Sequence, residues 1–228
     1  MIDNSLIEIK EIENPLILSI ETTGQCCGVA LTKGNVLLSE YTIFVNNLHD
    51  KLLAELTSRL LNDLQYSFDD LNAIAVSSGP GSFTGLRIGV AFAKGLCLND
   101  NPKLIEIPTL EAFAFSSIEF AQSIKASQIV SLIKSHQDLY YIQKFNSNAK
   151  KTSEIEMIKL EELLKLDFDE TVVSGADIQK GFYLSGLQRF TPRFISKLAI
   201  NKFKKNEFTN AESFIPLYSQ EFIPKIKG

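Results

Sequence analysis

The stretch Ser77-Ser78-Gly79-Pro80-Gly81-Ser82-Phe83-Thr84-Gly85-Leu86-Arg87-Ile88-Gly89 limits the fold more than any other part of the chain. It stands between a short apolar run, Ala73-Ile74-Ala75-Val76, and a helical pattern from about Ser82 to Leu98, so it is a strand-to-helix junction. Its glycines and proline allow a tight turn with positive φ, and Ser82 or Thr84 can cap the helix start. Such a turn can receive an anion. It is not a P-loop, because Gly85 is followed by Leu86-Arg87, and it lacks the G-x-G-x-x-G spacing of a dinucleotide fingerprint. Beyond it Gly85, Gly89, Ala93 and Cys97 recur every four residues, one stripe of small side chains along the helix. Each glycine inside a helix costs up to about 1 kcal/mol relative to alanine, so another backbone must approach there. Packing within the domain and contact with a subunit both meet that requirement.

Upstream, Leu16 to Ile20 is an apolar run that Glu21-Thr22-Thr23-Gly24 breaks. Cys26 to Thr32 resumes an extended pattern, Lys33-Gly34-Asn35 turns, and Val36 to Val45 reads as a third strand, giving an antiparallel meander. Asn46 and Asn47 supply N-cap side chains to a helix in which Leu48, Leu52, Leu56, Leu60 and Leu64 recur every four residues, widened by Leu53 and Leu61. The resulting order, βββαβα, is the core of the ribonuclease-H-like fold of actin, sugar kinases and heat-shock ATPases, which pair two such units. The expectation is an α/β fold of two ribonuclease-H-like (actin-like ATPase, ASKHA) units, the second reduced. In it, residues 103–108 form a strand, Thr109 to about Lys125 a helix, 128–134, 139–146 and 171–174 strands, and Pro192 to about Asn206 a final helix. The chain divides into an extension at 1–14, a first unit at 15–107 and a smaller second one at 108–228, whose last helix is free to pack back on the first.

A net charge of −4 provides no global basic field, which disfavours direct nucleic-acid binding by this chain alone. Lys197, Lys202, Lys204 and Lys205 suit the negative end of the last helix. There is no basic stretch followed by an apolar one at the start, and no run near the roughly 20 residues that cross a bilayer, so a cytoplasmic protein without membrane contact is expected. Two histidines, His49 and His136, are too few and too isolated for a metal site or a Ser-His-Asp arrangement; His136 with Asp138 reads as solvated loop. No catalytic residue and no metal ligand is therefore expected. The hairpin residues Glu21, Thr22 and Thr23, with Gly81 and Ser82, are the candidates for an anion or nucleotide contact, Glu21 through a magnesium-bound water. The second half offers only Ser174-Gly175-Ala176-Asp177 as a further phosphate loop.

Leu18-Ser19-Ile20-Glu21-Thr22-Thr23 with Cys27-Gly28-Val29-Ala30-Leu31, His49 opening a leucine-rich helix, Gly79 to Gly89, and Ile107-Pro108-Thr109-Leu110 together resemble the TsaB (YeaZ) family. The resemblance is strong over about residues 15–112. It implies a non-catalytic scaffold that binds the catalytic paralogue TsaD and the ATPase TsaE for threonylcarbamoyl transfer to adenosine 37 of tRNAs reading ANN codons. It implies a homodimer when TsaD is absent, tRNA contact only through the complex, and no cofactor in this subunit, ATP and metal belonging to the partners. The family docks through its two N-terminal-domain helices, which here implies Gly85, Arg87, Gly89, Ala93, Leu52 and Leu56 as partner interface. TsaD carries two metal-binding histidines four apart on one helix, a pair this sequence lacks. Two other classes compete: an independent actin-like small-molecule kinase or ATPase, which rests on Glu21 and the hairpin, and a peptidase, which lacks a nucleophile, base and orienter.

Overall fold

The computed structural model describes residues 12–24, 26–44, 49–98, 101–184, 186 and 190–217; the side chains of 49–51 are not among them. The expected caps Asn46 and Asn47, the imidazole of His49 and most of the 1–14 extension lie outside the described residues. The first sheet contains β1 (Leu16–Glu21), β2 (Cys26–Lys33), β3 (Val36–Phe44), β4 (Ala73–Ser77) and β5 (Lys103–Ile107), in the order β3-β2-β1-β4-β5. The meander is antiparallel, and β4 and β5 extend it in parallel. α1 (His49–Asp63) and α2 (Phe83–Leu96) cover one face, where Leu18, Ile20, Ile74 and Val76 meet Leu53, Leu60, Val90 and Ala93. The alternate residues Ile17, Ala73, Ala75, Ile105 and Ile107 point to the other face, which is why β1, β4 and β5 read as continuous apolar runs.

The second sheet comprises β6 (Gln128–Lys134), β7 (Leu139–Asn146), β8 (Glu156–Lys159), β9 (Thr171–Gly175) and β10 (Phe182–Tyr183). Its order, β10-β9-β6-β7-β8, repeats that of the first sheet. It is indeed reduced: its only helix between β8 and β9 is α5 (Leu160–Leu163), and no helix separates β9 from β10. The expected helix over 109–125 is two, α3 (Thr109–Ser116) and α4 (Ile118–Ser123). Ser116 and Ser117 both donate to the carbonyl of Phe113, drawing hydroxyls into the ladder where the axis breaks.

The helices that follow each sheet are exchanged. α3 comes after the first sheet yet packs on β6 and β9, while α6 (Pro192–Lys204) comes after the second yet packs on β1, β2, β4 and β5. Ile195, Ala199 and Ile200 of α6 fill the second face of the first sheet, joined by Phe113 of α3 edge-on to Phe190 at 4.7 Å. Ser196 donates to Ser19 of β1 at 2.8 Å, and Arg193 clamps Glu40 of β3 through its Nε at 2.6 Å and its backbone N–H at 3.2 Å. The Glu40 side chain is only 7% exposed. Removing Arg193 would leave that carboxylate dehydrated and unpaired, which costs more than the pair itself contributes. Arg193→Ala is expected to lower stability by about 2 kcal/mol, and Glu40→Gln in the same background to restore part of it, as read by urea denaturation.

Candidate functional site

The junction that the sequence singled out closes on the chain's own β1–β2 turn. Ser82 is the N-cap of α2, its Oγ accepting from Gly85 N–H, as the sequence indicated. Ser82 N–H donates to the carbonyl of Thr23 at 2.7 Å, and Thr22 Oγ1 donates to the carbonyl of Gly85 at 2.8 Å. The glycines make room for this contact: a Cβ on Gly85 would lie 1.9 Å from Thr22 O, one on Gly89 2.2 Å from Thr22 Oγ1, and one on Gly81 2.7 Å from Thr23 Cβ. Gly85, Gly89 and Ala93 are buried, and Leu56 sits with half-buried Leu52 in the core under α1. The expectation of a partner interface is therefore corrected for Gly85, Gly89, Ala93, Leu52 and Leu56, which pack within the domain, and stands as an expectation for Arg87. The stripe is filled from within the domain, and of the six residues only Arg87 is exposed, its guanidinium 3.8 Å over the Phe83 ring.

Glu21 closes β1 and is 1% exposed. One of its carboxylate oxygens accepts from Thr23 N–H at 2.6 Å and from Thr23 Oγ1, the other from Ser77 Oγ of β4. Loss of hydration pushes its carboxyl up to about 7 from an ordinary 4.5, outweighing the hydrogen bonds from Ser77, Thr23 and Gly24 that favour the ionised form. A carboxyl so enclosed and so hard to ionise is a weak ligand for the hydrated cation expected at Glu21. Four N–H groups around the turn are likewise engaged: Thr23 to Glu21, Ser82 to Thr23, Gly85 to Ser82, and Gly79 to Thr109 Oγ1 at 3.1 Å. The fit of a metal-bound phosphate to Glu21, Thr22, Thr23, Gly81 and Ser82 is therefore poor. Of these residues Glu21, Thr23 and Ser82 line one wall of a cleft of about 530 Å³ between the two sheets, where the carboxyl ends of β1, β6 and β9 converge. Thr109, Phe113 and Phe190 line it with Lys134 and Asp177, the latter in the segment considered as a second phosphate loop.

Cys27 and His136 lie outside this cleft. Burial, with the neighbouring Glu21, pushes the Cys27 thiol up to about 11, far from a reactive thiolate. His136 is exposed on a turn, its Nδ1 3.2 Å from Ser135 Oγ, and pairs with no buried carboxylate. Among the described residues no group of three or more His, Cys, Asp or Glu side chains could hold a metal ion, and no helix is long and apolar enough to cross a membrane.

Comparison with known proteins follows the same junction. A family model described as TsaD, tRNA N6-adenosine threonylcarbamoyltransferase, matches residues 44–222, more than half of the chain. The chain belongs to this family. The curated relatives include TsaB proteins and tRNA N6-adenosine threonylcarbamoyltransferases. The tRNA threonylcarbamoyladenosine biosynthesis protein TsaB of Bacillus subtilis (strain 168) is 34% identical over 104 residues, 46% of this chain and 45% of that protein. The aligned stretch thus spans less than half the length of that relative. TsaB of Buchnera aphidicola subsp. Baizongia pistaciae is 26% identical over 91% of this chain and 90% of its own. The structure of YeaZ from Pseudomonas aeruginosa superposes with a TM-score of 0.76 at 19% identity, covering 90% of this chain and 99% of that one, so the two share the fold.

Two outcomes test the site. Gly85→Ala is expected to destabilise by about 3 kcal/mol, because its obstacle is backbone, and Gly89→Ala by less, because the Thr22 hydroxyl can turn aside; thermal melts of both variants measure this. Since the Glu21 carboxyl titrates higher in the folded than in the unfolded chain, its contribution is fully present below pH 4.5 and is lost as pH rises through about 7. The loss approaches about 3 kcal/mol at alkaline pH. Calorimetric melting temperatures should fall between pH 5 and 8 in the parent, and Glu21→Gln should flatten that slope.

Proposed function

We propose that this protein is a non-catalytic scaffold subunit in tRNA threonylcarbamoyladenosine biosynthesis, which binds the TsaD paralogue and recruits the TsaE ATPase. The supporting observation is the outward face of α2. Thr84, Ala91 and Gly95 follow one another at helical spacing on the side opposite Gly85, Gly89 and Ala93, with Leu98 just past the helix end. Ala91 and Gly95 are exposed, a Cβ on Gly95 would meet nothing within 4 Å, and Leu98 is 70% exposed. An exposed apolar stripe with small residues at its centre suits the close approach of a second helix. The same face serves for a homodimer when the paralogue is absent. ATP, metal and the chemistry at adenosine 37 of ANN-decoding tRNAs belong to the partners, tRNA reaches this chain only through them, and the complex works in the cytoplasm.

A second reading, an independent actin-like kinase or ATPase, draws on the cleft between the sheets. The engaged N–H groups around Thr23 and Ser82 weigh against it, and calorimetric titration of the isolated chain with ATP and magnesium decides: saturable binding with hydrolysis would favour that reading. For the scaffold, the test is light scattering after size exclusion of this protein mixed with the TsaD paralogue of the same source. A heteromer is expected for the parent. Ala91→Glu is expected to melt like the parent yet weaken association by at least about tenfold, since it buries a charge in the interface; two unmixed parent peaks would overturn the proposal.

A further inference from the structure

The cleft between the sheets has an apolar floor. Phe113 and Phe190 stand edge-on at 4.7 Å and pack with half-buried Ile133 of β6. Cys26 of β2 lines the cleft beside them, on the same strand face as Gly28, which α6 covers with Pro192. These side chains belong to both units, so the floor exists only because α3 and α6 are exchanged between the sheets. A volume of about 530 Å³ is in the range that holds a small organic molecule.

Two hydroxyls border this floor. Thr109 Oγ1, in a residue only 1% exposed, accepts from Gly79 N–H at 3.1 Å, and Ser82 Oγ accepts from Gly85 N–H at 3.3 Å. Each keeps its own O–H to donate, and among the described residues neither gives it to another group. Lys134, the last residue of β6, lines the cleft without an ion pair to any described residue. Asp177 lines it as well, one carboxylate oxygen accepting from Gln179 N–H at 2.8 Å. Glu21 is already committed to Thr23, Gly24 and Ser77. The groups left to receive a ligand are therefore two O–H donors and one ammonium, with a single carboxylate beside them.

We infer that this cleft binds a small carboxylic acid with an apolar or aromatic body. The body lies on Phe113, Phe190 and Ile133, and the carboxylate accepts from the hydroxyls of Thr109 and Ser82 with Lys134 as its counter-charge. One negative charge matches that set. A phosphate dianion needs more donors than the engaged N–H groups of the turn leave, and meets Asp177 with twice the repulsion. An α-ammonium beside the carboxylate would face Asp177, so simple acids and amino acids share the recognised chemistry. The site is remote from the outward face of α2 in what it uses, and the inference stands without the scaffold reading.

The test is calorimetric titration of the full chain with 3-phenylpropanoate. Saturable binding with a Kd of about 1 mM or tighter is expected. Phenethylamine lacks the carboxylate, acetate lacks the body and phenyl phosphate doubles the charge; each is expected to bind at least about tenfold more weakly. L-Phenylalanine binding more tightly than 3-phenylpropanoate assigns the site to amino acids, and binding more weakly assigns it to simple acids. Gly24 lines the cleft at a point where a Cβ would meet nothing within 4 Å, so Gly24→Glu and Gly24→Lys are both expected to melt like the parent. The first should weaken 3-phenylpropanoate at least about tenfold and the second should not, while Lys134→Gln should weaken it at least about threefold. No saturable binding overturns the inference. So does phenyl phosphate or phenethylamine binding as tightly as 3-phenylpropanoate, or an unchanged affinity in Gly24→Glu.

Discussion

Everything in the first unit is referred to one contact, the seating of the β1–β2 turn against the first turns of α2. Thr22 reaches the carbonyl of Gly85 and fills the space that Gly89 leaves, while Thr23 receives Ser82 N–H. A helix packed on side chains alone stands 8–10 Å from its neighbour and tolerates sliding. Here the absence of Cβ atoms lets a backbone carbonyl and a hydroxyl meet the helix directly, which fixes its height and rotation together. The same contact turns Ala91 and Gly95 outward. The exposed face of α2 is thus set by residues buried beneath it.

From that seat a hydrogen-bonded chain runs toward the cleft. Glu21 ties the turn to Ser77 of β4, Gly79 and Thr109 exchange hydrogen bonds at the crossing to α3, and Leu217 N–H donates to Ser78. The N–H groups of Thr23, Ser82 and Gly79 are spent on acceptors within the chain, and a buried carboxyl stands at the centre of these turns. Burial of Glu21 costs stability at neutral pH, yet it satisfies four donors, from Ser77, Thr23 and Gly24, that would otherwise be orphaned. The geometry is that of a rigid bracket.

The sequence made the first unit legible because its signals are long or chemically singular. Leucines at four-residue spacing located α1, and the capped glycine-rich turn located α2 to within two residues. The purpose of the glycines was ambiguous, since periodicity says that something approaches a stripe but not from where; only the Thr22 contact decides it. The burial of Glu21 was equally hidden, because a carboxyl between two hydrophobic strands reads the same whether it faces solvent or core. In the second unit β8 and β10 span four and two residues and α5 four, too short to show a period.

Exchange of α3 and α6 has a consequence for how the two sheets fold. The face of the first sheet formed by Ile17, Ala75 and Ile105 is dry only because α6, encoded after the whole second sheet, lies on it. The second sheet depends likewise on α3, whose Leu110 and Ala114 pack with Ile129 and Val172. Separating the chain near residue 107 would bare an apolar face on each half, so neither sheet is an autonomous domain, despite their matching strand orders. Stability of the α2 surface and of the second unit is therefore one cooperative property, and a change in either is felt by the other through α6 and its Arg193 clamp on Glu40.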